Sequence, residues 1–162
     1  MKSSPGRRWT GAETRLVAEY LPLRWPGRRH LQRVRVGRIP SELPTDALAP
    51  EELRMLGVWR RWVDAMVVDP PVLWVIEAGV VPDPGDISRL GLYLRLLPDT
   101  PELSDLLRLR PRGRLLYAVD DPVLARMAVE AGYEYEVWTP SWVPDYLRSR
   151  RPAHRRAPLS QG

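Results

Sequence analysis

Residues 62–79 read WVDAMVVDPPVLWVIEAG, and the fold turns on how they pair. Apolar runs on either side of Asp69-Pro70-Pro71 predict two strands, Trp59 to Val68 and Val72 to Val80. The prolines suit a tight connection, since they donate no ladder hydrogen bond. A turn centred between Pro70 and Pro71 sets Asp64 opposite Glu77. Directly opposed Cβ atoms lie roughly 4.5–5.5 Å apart, and like charges placed there destabilise a sheet. Both strands are otherwise apolar (Val63, Met66, Val67 and Val68; Leu73, Trp74, Val75 and Ile76). Two carboxylates in that setting need a reason, and three are available: a shared divalent cation, a proton shared through one raised pKa, or a cationic partner such as Arg61. A hard cation held by two carboxylates, a backbone carbonyl and water suits Mg2+, and such a site can polarise a phosphodiester. The plainer alternative is two strand-end acids in water, paired to arginines.

Outward from the hairpin, Thr10-Gly-Ala-Glu13 reads as a capping box. It opens a helix that carries Leu16, Val17, Tyr20 and Leu21 on one side and stops at Pro22. Arg24 to His30 is a basic loop, and Leu31 to Val36 alternates as a half-solvated strand. Residues 40–50 hold three prolines and read as a loop, after which Pro50 to Leu53 opens a short helix. Beyond the hairpin, Asp86 caps a helix presenting Ile87, Leu90, Leu94 and Leu97 inward. Leu115 to Val119 reads as a buried strand. Asp121-Pro122 starts a further helix that ends at Gly132, and Tyr133 to Val137 alternates as the last strand. The order helix, three strands, helix, strand, helix, strand predicts an α/β sandwich around a mixed sheet. One domain over residues 9–147 is expected, with basic tails at 1–8 and 148–162 and no regular structure after about residue 150.

Composition narrows the function classes. The 162 residues include no cysteine, which removes disulfides and thiolate metal sites. No apolar run approaches the roughly 18 residues that span a bilayer, so no membrane partner is expected. The first residues lack the apolar stretch of a secretory signal, and the expected location is the cytoplasm, or a virion if the gene is a phage's. All 20 acids lie between Glu13 and Asp145, whereas five arginines follow the last acid and account for the net charge of +5. A basic tail on a neutral body suits contact with phosphates or another polyanion; a solvated end explains it as well. Lys2 is the only lysine.

The string from Trp62 to Gly79 resembles the core of the PD-(D/E)XK (restriction-endonuclease-like) nuclease superfamily. In that family an aspartate interrupts one strand and a Glu-X-Lys follows on its hairpin partner. The next helix commonly carries a glutamine and, four residues later, a tyrosine; here Arg89-Leu-Gly-Leu-Tyr93 stands in that place. The resemblance implies a restriction-endonuclease-like sandwich over about residues 10–142. It implies Asp64 and Glu77 as catalytic metal ligands, the carbonyl of Ala78 as a third ligand for Mg2+, and Glu13 as an accessory acid, although the capping box alone accounts for Glu13. Tyr93 is implied as a packing or substrate-contact position rather than a catalytic one. Gly79 stands where the family has its lysine. Loss of a positioned proton-transfer or electrostatic group costs on the order of 10²–10⁴ in rate. Arg89 could supply charge there but could not act as a base at neutral pH.

The first expectation is therefore a catalytically impaired or inactive nuclease-fold protein. It would bind nucleic acid or serve in a viral or mobile-element assembly, with protein partners or further copies of itself. Arg28, Arg29, Arg148, Arg150 and Arg151 are the candidate phosphate contacts. The second expectation is an active Mg2+-dependent DNA endo- or exonuclease in which Arg89 or a partner replaces the lysine. The third is a protein-interaction module without nucleic acid, since seven tryptophans build protein interfaces as readily as base-stacking platforms.

Overall fold

Strong β-formers on both sides of Asp69-Pro70-Pro71 make the hairpin the centre of the molecule. The computed structural model describes residues 11–39, 49 and 60–150. Within them β2 (Arg61–Asp69) and β3 (Val72–Gly79) pair antiparallel, from Asp69↔Val72 to Ala65↔Ile76, in the predicted register. β1 (Arg29–Val36) flanks β2 antiparallel, while β4 (Arg110–Tyr117) and β5 (Glu134–Val137) extend the sheet in parallel, giving the order β1-β2-β3-β4-β5. Parallel neighbours need crossovers. These are supplied by α2 (Gly85–Leu96), followed by two 3-10 turns between Leu97 and Leu106, and by α3 (Pro122–Glu130). Two further helices are α1 (Gly11–Arg24) and α4 (Val143–Arg150). The result is the expected α/β sandwich on a mixed sheet, in the expected order of elements.

Strand alternation sorts the core into two layers. On one face Val63, Met66, Leu73, Val75, Leu115 and Tyr117 pack with Leu90 and Tyr93 of α2 and Leu124 of α3. On the other, Ala65, Val67, Trp74, Ile76, Ala78 and Leu116 pack with Leu16, Val17, Tyr20 and Leu21 of α1 and Val143 of α4. Each fully buried aliphatic side chain contributes about 1.5–3 kcal/mol. Val63 and Met66 share a face although three residues apart, whereas Ala65 and Val67 occupy the other. The alternation of β2 therefore slips by one residue at Asp64. The ladder with β1 skips the same level, between Gln32↔Ala65 and Val34↔Val63, where Arg33 adopts φ 51°. A left-handed non-glycine residue is uncommon, and here it matches the offset in the neighbouring strand.

Several expected boundaries move. α1 continues past Pro22 to Arg24, because a proline in the last turn forfeits a single helical bond and Trp25 N–H still reaches the Leu21 carbonyl at 2.9 Å. Asp86 is not the cap of α2. It lies inside the first turn, fully buried, while Asp83 Oδ1 accepts from Gly85 N–H at 2.8 Å. β4 begins at Arg110, five residues before the expected Leu115, since its first half is polar and carries no apolar run. Asp121 does cap α3, accepting from Val123 and Leu124 N–H at 2.9 and 3.1 Å. The helix α4 was not anticipated. The Thr10 cap, the Pro50 helix, Arg151 and most of the two tails lie outside the described residues. No helix among the described residues is long and apolar enough to cross a membrane.

Candidate functional site

β3, β4 and β5 end level with one another, Gly79 beside Tyr117 and Tyr117 beside Val137. The carboxyl ends of parallel strands are where open α/β sheets place their ligands. Asp64 and Glu77 arrive at this end from β2 and β3. The β2–β3 ladder stops at Ala65↔Ile76, one step short of the level at which they would face each other. At that step the side chain of Asp64, only 6% exposed, turns into the gap and its Oδ2 accepts the N–H of Ala78 at 2.7 Å. A carboxylate thus stands in for the strand carbonyl that the slipped alternation displaces.

Glu77 follows a different route. It points to the α2 face with Val75, is 1% exposed, and its Oε1 accepts from Arg89 Nε at 3.2 Å. Arg89 lies one turn into α2, and its Nη2 also meets Asp83 Oδ2 at 3.0 Å and Asp86 Oδ1. The other oxygen of Asp86 accepts from the buried Tyr117 hydroxyl at 2.7 Å. One guanidinium therefore joins two buried carboxylates, Glu77 and Asp86, to a rim carboxylate, Asp83. A buried carboxylate is tolerated only when paired and hydrogen-bonded. Arg89 supplies that pairing, and its rigid fork of donors lets a single side chain serve three acids.

Of the expected Mg2+ ligands, Asp64 and Glu77 each have one carboxylate oxygen engaged within the protein. Asp64 is directed to a backbone N–H and Glu77 to a guanidinium, and a divalent cation at Glu77 would have to compete with Arg89. Among the described residues no three histidine, cysteine, aspartate or glutamate side chains form a group able to hold a metal ion. Glu13 belongs to α1, whose buried side chains pack on the sheet face opposite Glu77. Gly79 lies two residues beyond Glu77 and so on the same face, beside Tyr117 in the register.

The expected nucleic-acid contacts are also dispersed. Tyr93 is in the core at 5% exposure and presents no ring to a base; its place in the Gln-X-X-X-Tyr pattern is a packing position here. Arg28 and Arg29 sit at the opposite end of the sheet, bound to Asp69 at 2.9 Å and Asp105 at 3.7 Å. Arg29 pairs with Val68, which lies about 13 Å along β2 from Asp64. Arg148 pairs with Asp145 on α4, and Arg150 lies over the Tyr146 ring at 5.2 Å. Sequence reasoning missed Asp83, Asp86 and Tyr117 as site residues. The spacing Asp86 to Arg89 carried part of the signal, since residues three apart share a helix face; nothing local marked that face as buried.

A second charged cluster lies at the middle of β4, on the opposite face of the sheet. Arg114, 2% exposed, is held between the rings of Trp25 and Trp74, 4.8 and 4.6 Å from their centroids. Its guanidinium reaches Glu134, Glu136 and, at 2.8 Å, the Tyr20 hydroxyl, which donates to Glu136 at 2.6 Å. Burial, then the Glu136 hydrogen bond, pushes the Tyr20 hydroxyl pKa well above its ordinary value.

No protein-family model and no curated protein matches the chain. Among solved structures it is similar to a repair endonuclease from Pyrococcus abyssi, at 17% identity and a TM-score of 0.49 over 85% of this chain and 50% of that one. It is also similar to EndoMS in a complex with double-stranded DNA, at 14% identity and a TM-score of 0.48 over 86% of this chain and 50% of that one. The chain thus spans about half the length of each of these proteins, and the likeness is one of fold.

Proposed function

We propose that this restriction-endonuclease-like domain binds nucleic acid and has lost most or all of the hydrolysis its fold is built for. The observation that carries the reading is the Arg89 guanidinium seated on Glu77 and Asp86. It neutralises from within the chain the carboxylate that would otherwise attract a catalytic cation. Gly79, at the position of the motif lysine, brings no side chain to orient water or meet developing charge. The net charge of +5 favours a polyanionic partner.

The test is incubation of the purified protein with labelled single- and double-stranded DNA and Mg2+ or Mn2+. Binding without cleavage is expected. Cleavage that disappears in both Asp64→Ala and Glu77→Ala would replace this reading with that of an active nuclease. Absence of binding to either DNA at low salt would leave a protein-interaction module.

A further inference from the structure

On the sheet face that packs against α1, arginine and tryptophan side chains alternate in one stack. Arg112 lies over the Trp74 ring at 5.5 Å, and Arg114 lies over both Trp74 and Trp25. Arg24, the last residue of α1, lies over Trp25 at 5.4 Å. The two indoles and Arg114 are buried, whereas Arg24 and Arg112 at the ends of the stack are exposed. Residues 110, 112 and 114 alternate along β4 and so share a face. Arg110 therefore continues the row to the rim of the sheet, where it is exposed beside Val72.

The carboxylates nearby leave these outer arginines largely unused. Glu134 and Glu136 both bond to the buried Arg114. Their approaches to Arg112 and Arg24 are 3.8 and 3.7 Å, too long for hydrogen bonds. Asp69 pairs with Arg28 at 2.9 Å. Among the described residues Arg110 meets no carboxylate. Five arginines thus stand against three acids on this part of the face, and like charges gathered there repel one another. A guanidinium over an indole gains about 0.5–1 kcal/mol at an exposed site and is restrained before any ligand arrives. Its fork of donors matches the paired oxygens of a phosphate. Arg110 and Arg112 lie about 7 Å apart along the strand, a row that suits a chain of phosphates better than a single anion.

We propose that Arg24, Arg110 and Arg112 form a ridge that holds the sugar-phosphate backbone of nucleic acid irrespective of its sequence. Trp25 and Trp74 are enclosed, at 6% and 8% exposure, and offer no ring on which a base could stack. The contact is therefore with phosphates, and a duplex, with its dense charge, satisfies it. The ridge lies on the face opposite Glu77 and Arg89, so nucleic acid held here is kept away from the buried carboxylates. The inference rests on the nucleic-acid-binding half of the proposed function and specifies the surface that is used.

Fluorescence anisotropy on the full chain, with two fluorescein-labelled duplexes of unrelated sequence, tests it. Both duplexes are expected to bind with equal affinity. Arg24→Ala, Arg110→Ala and Arg112→Ala should each weaken binding about two- to fivefold, the worth of an exposed ion pair. Each should also lower the slope of log affinity against log salt by about one. Arg112→Lys keeps the charge without the planar fork, and should lose affinity while retaining the slope. Arg29→Ala, at the same end of the sheet but on the other face with Asp105, should change neither. All these side chains are exposed, and unchanged melting temperatures would show that the variants fold. Unchanged affinity and slope in the double variant Arg110→Ala with Arg112→Ala would overturn the ridge and leave the broader reading standing, with its contact elsewhere on the chain. A clear preference for one duplex sequence would overturn the backbone assignment. Failure of both duplexes to bind at low salt would also overturn the ridge; if a labelled oligothymidylate strand fails as well, the proposed function falls with it.

Discussion

Replacing Arg89 with methionine is the most direct way to weigh the charge it carries. Methionine preserves most of the aliphatic stem, so the lost quantity is chiefly the guanidinium. Of the three carboxylates that Arg89 touches, Asp83 is half exposed and can turn to water, whereas the Glu77 and Asp86 side chains are 2% and 0% exposed. Removing one member of a buried, hydrogen-bonded ion pair costs about 3–5 kcal/mol, because the remaining charge is left uncompensated. Two such charges share this cation, although the Tyr117 hydroxyl still holds one oxygen of Asp86. About 4 kcal/mol is therefore expected, which for a domain of this size corresponds to roughly 8–16 °C in Tm. Urea unfolding followed by far-UV circular dichroism should show a lower midpoint at an unchanged slope. The double variant Arg89→Met with Glu77→Gln removes the stranded charge and should recover about 1–2 kcal/mol. A loss below about 1 kcal/mol for Arg89→Met, with no recovery in the double variant, would refute the claim that this guanidinium neutralises the buried acids.

Four further outcomes follow from contacts already described. Asp64→Ala takes the acceptor from the Ala78 N–H and should cost about 2 kcal/mol, while Asp64→Asn, which keeps an acceptor oxygen, should cost distinctly less in the same urea titration. Arg114→Met strands Glu134 and Glu136, but both are about one-third exposed and partly rehydrate, so thermal unfolding should register about 2 kcal/mol and Arg114→Lys less. The Tyr20 hydroxyl has a raised pKa in the fold, so the folded state keeps a proton that the unfolded chain sheds. Its contribution is complete below the ordinary tyrosine pKa near 10 and is lost as pH rises beyond it; Tm measured from pH 8 upward should fall on the alkaline side, less steeply in Tyr20→Phe. Finally, Gly79→Lys restores an ammonium to the Glu77 face, and a plasmid-nicking assay with Mn2+ should show cleavage only where Arg89 is also replaced, since Arg89 otherwise holds Glu77.

The hairpin was legible because its determinants are local. Two prolines define the turn, and the apolar runs beside them leave little freedom in register. The opening of the ladder at Asp64 was not legible, for it depends on the slip shared with Arg33, and no residue type near Arg33 announces a left-handed backbone. Asp86 looked like a helix cap because aspartate before an apolar helical pattern usually is one; its burial is decided by Tyr117, 31 residues away. Arg114 shows the same limit. Its partners Glu134 and Glu136 come from a parallel strand reached through a crossover helix, and Trp25 and Trp74 from two other elements. The family pattern left Tyr93 as either a packing residue or a contact with substrate, and its burial beside Leu90 makes it packing.

The left-handed residue in β1 also bears on how copies of the molecule can meet. Among the described residues, with the order β1-β2-β3-β4-β5, β1 and β5 form the borders of the sheet. β5 has four residues, a short ledge for a docking strand. β1 has eight, but Arg33 interrupts its run of outward N–H and C=O groups near the middle, much as an edge bulge does. Neither border is a good template for continuing the sheet into a neighbour. For the described strands, pairing of one border with a neighbouring copy is disfavoured on this ground.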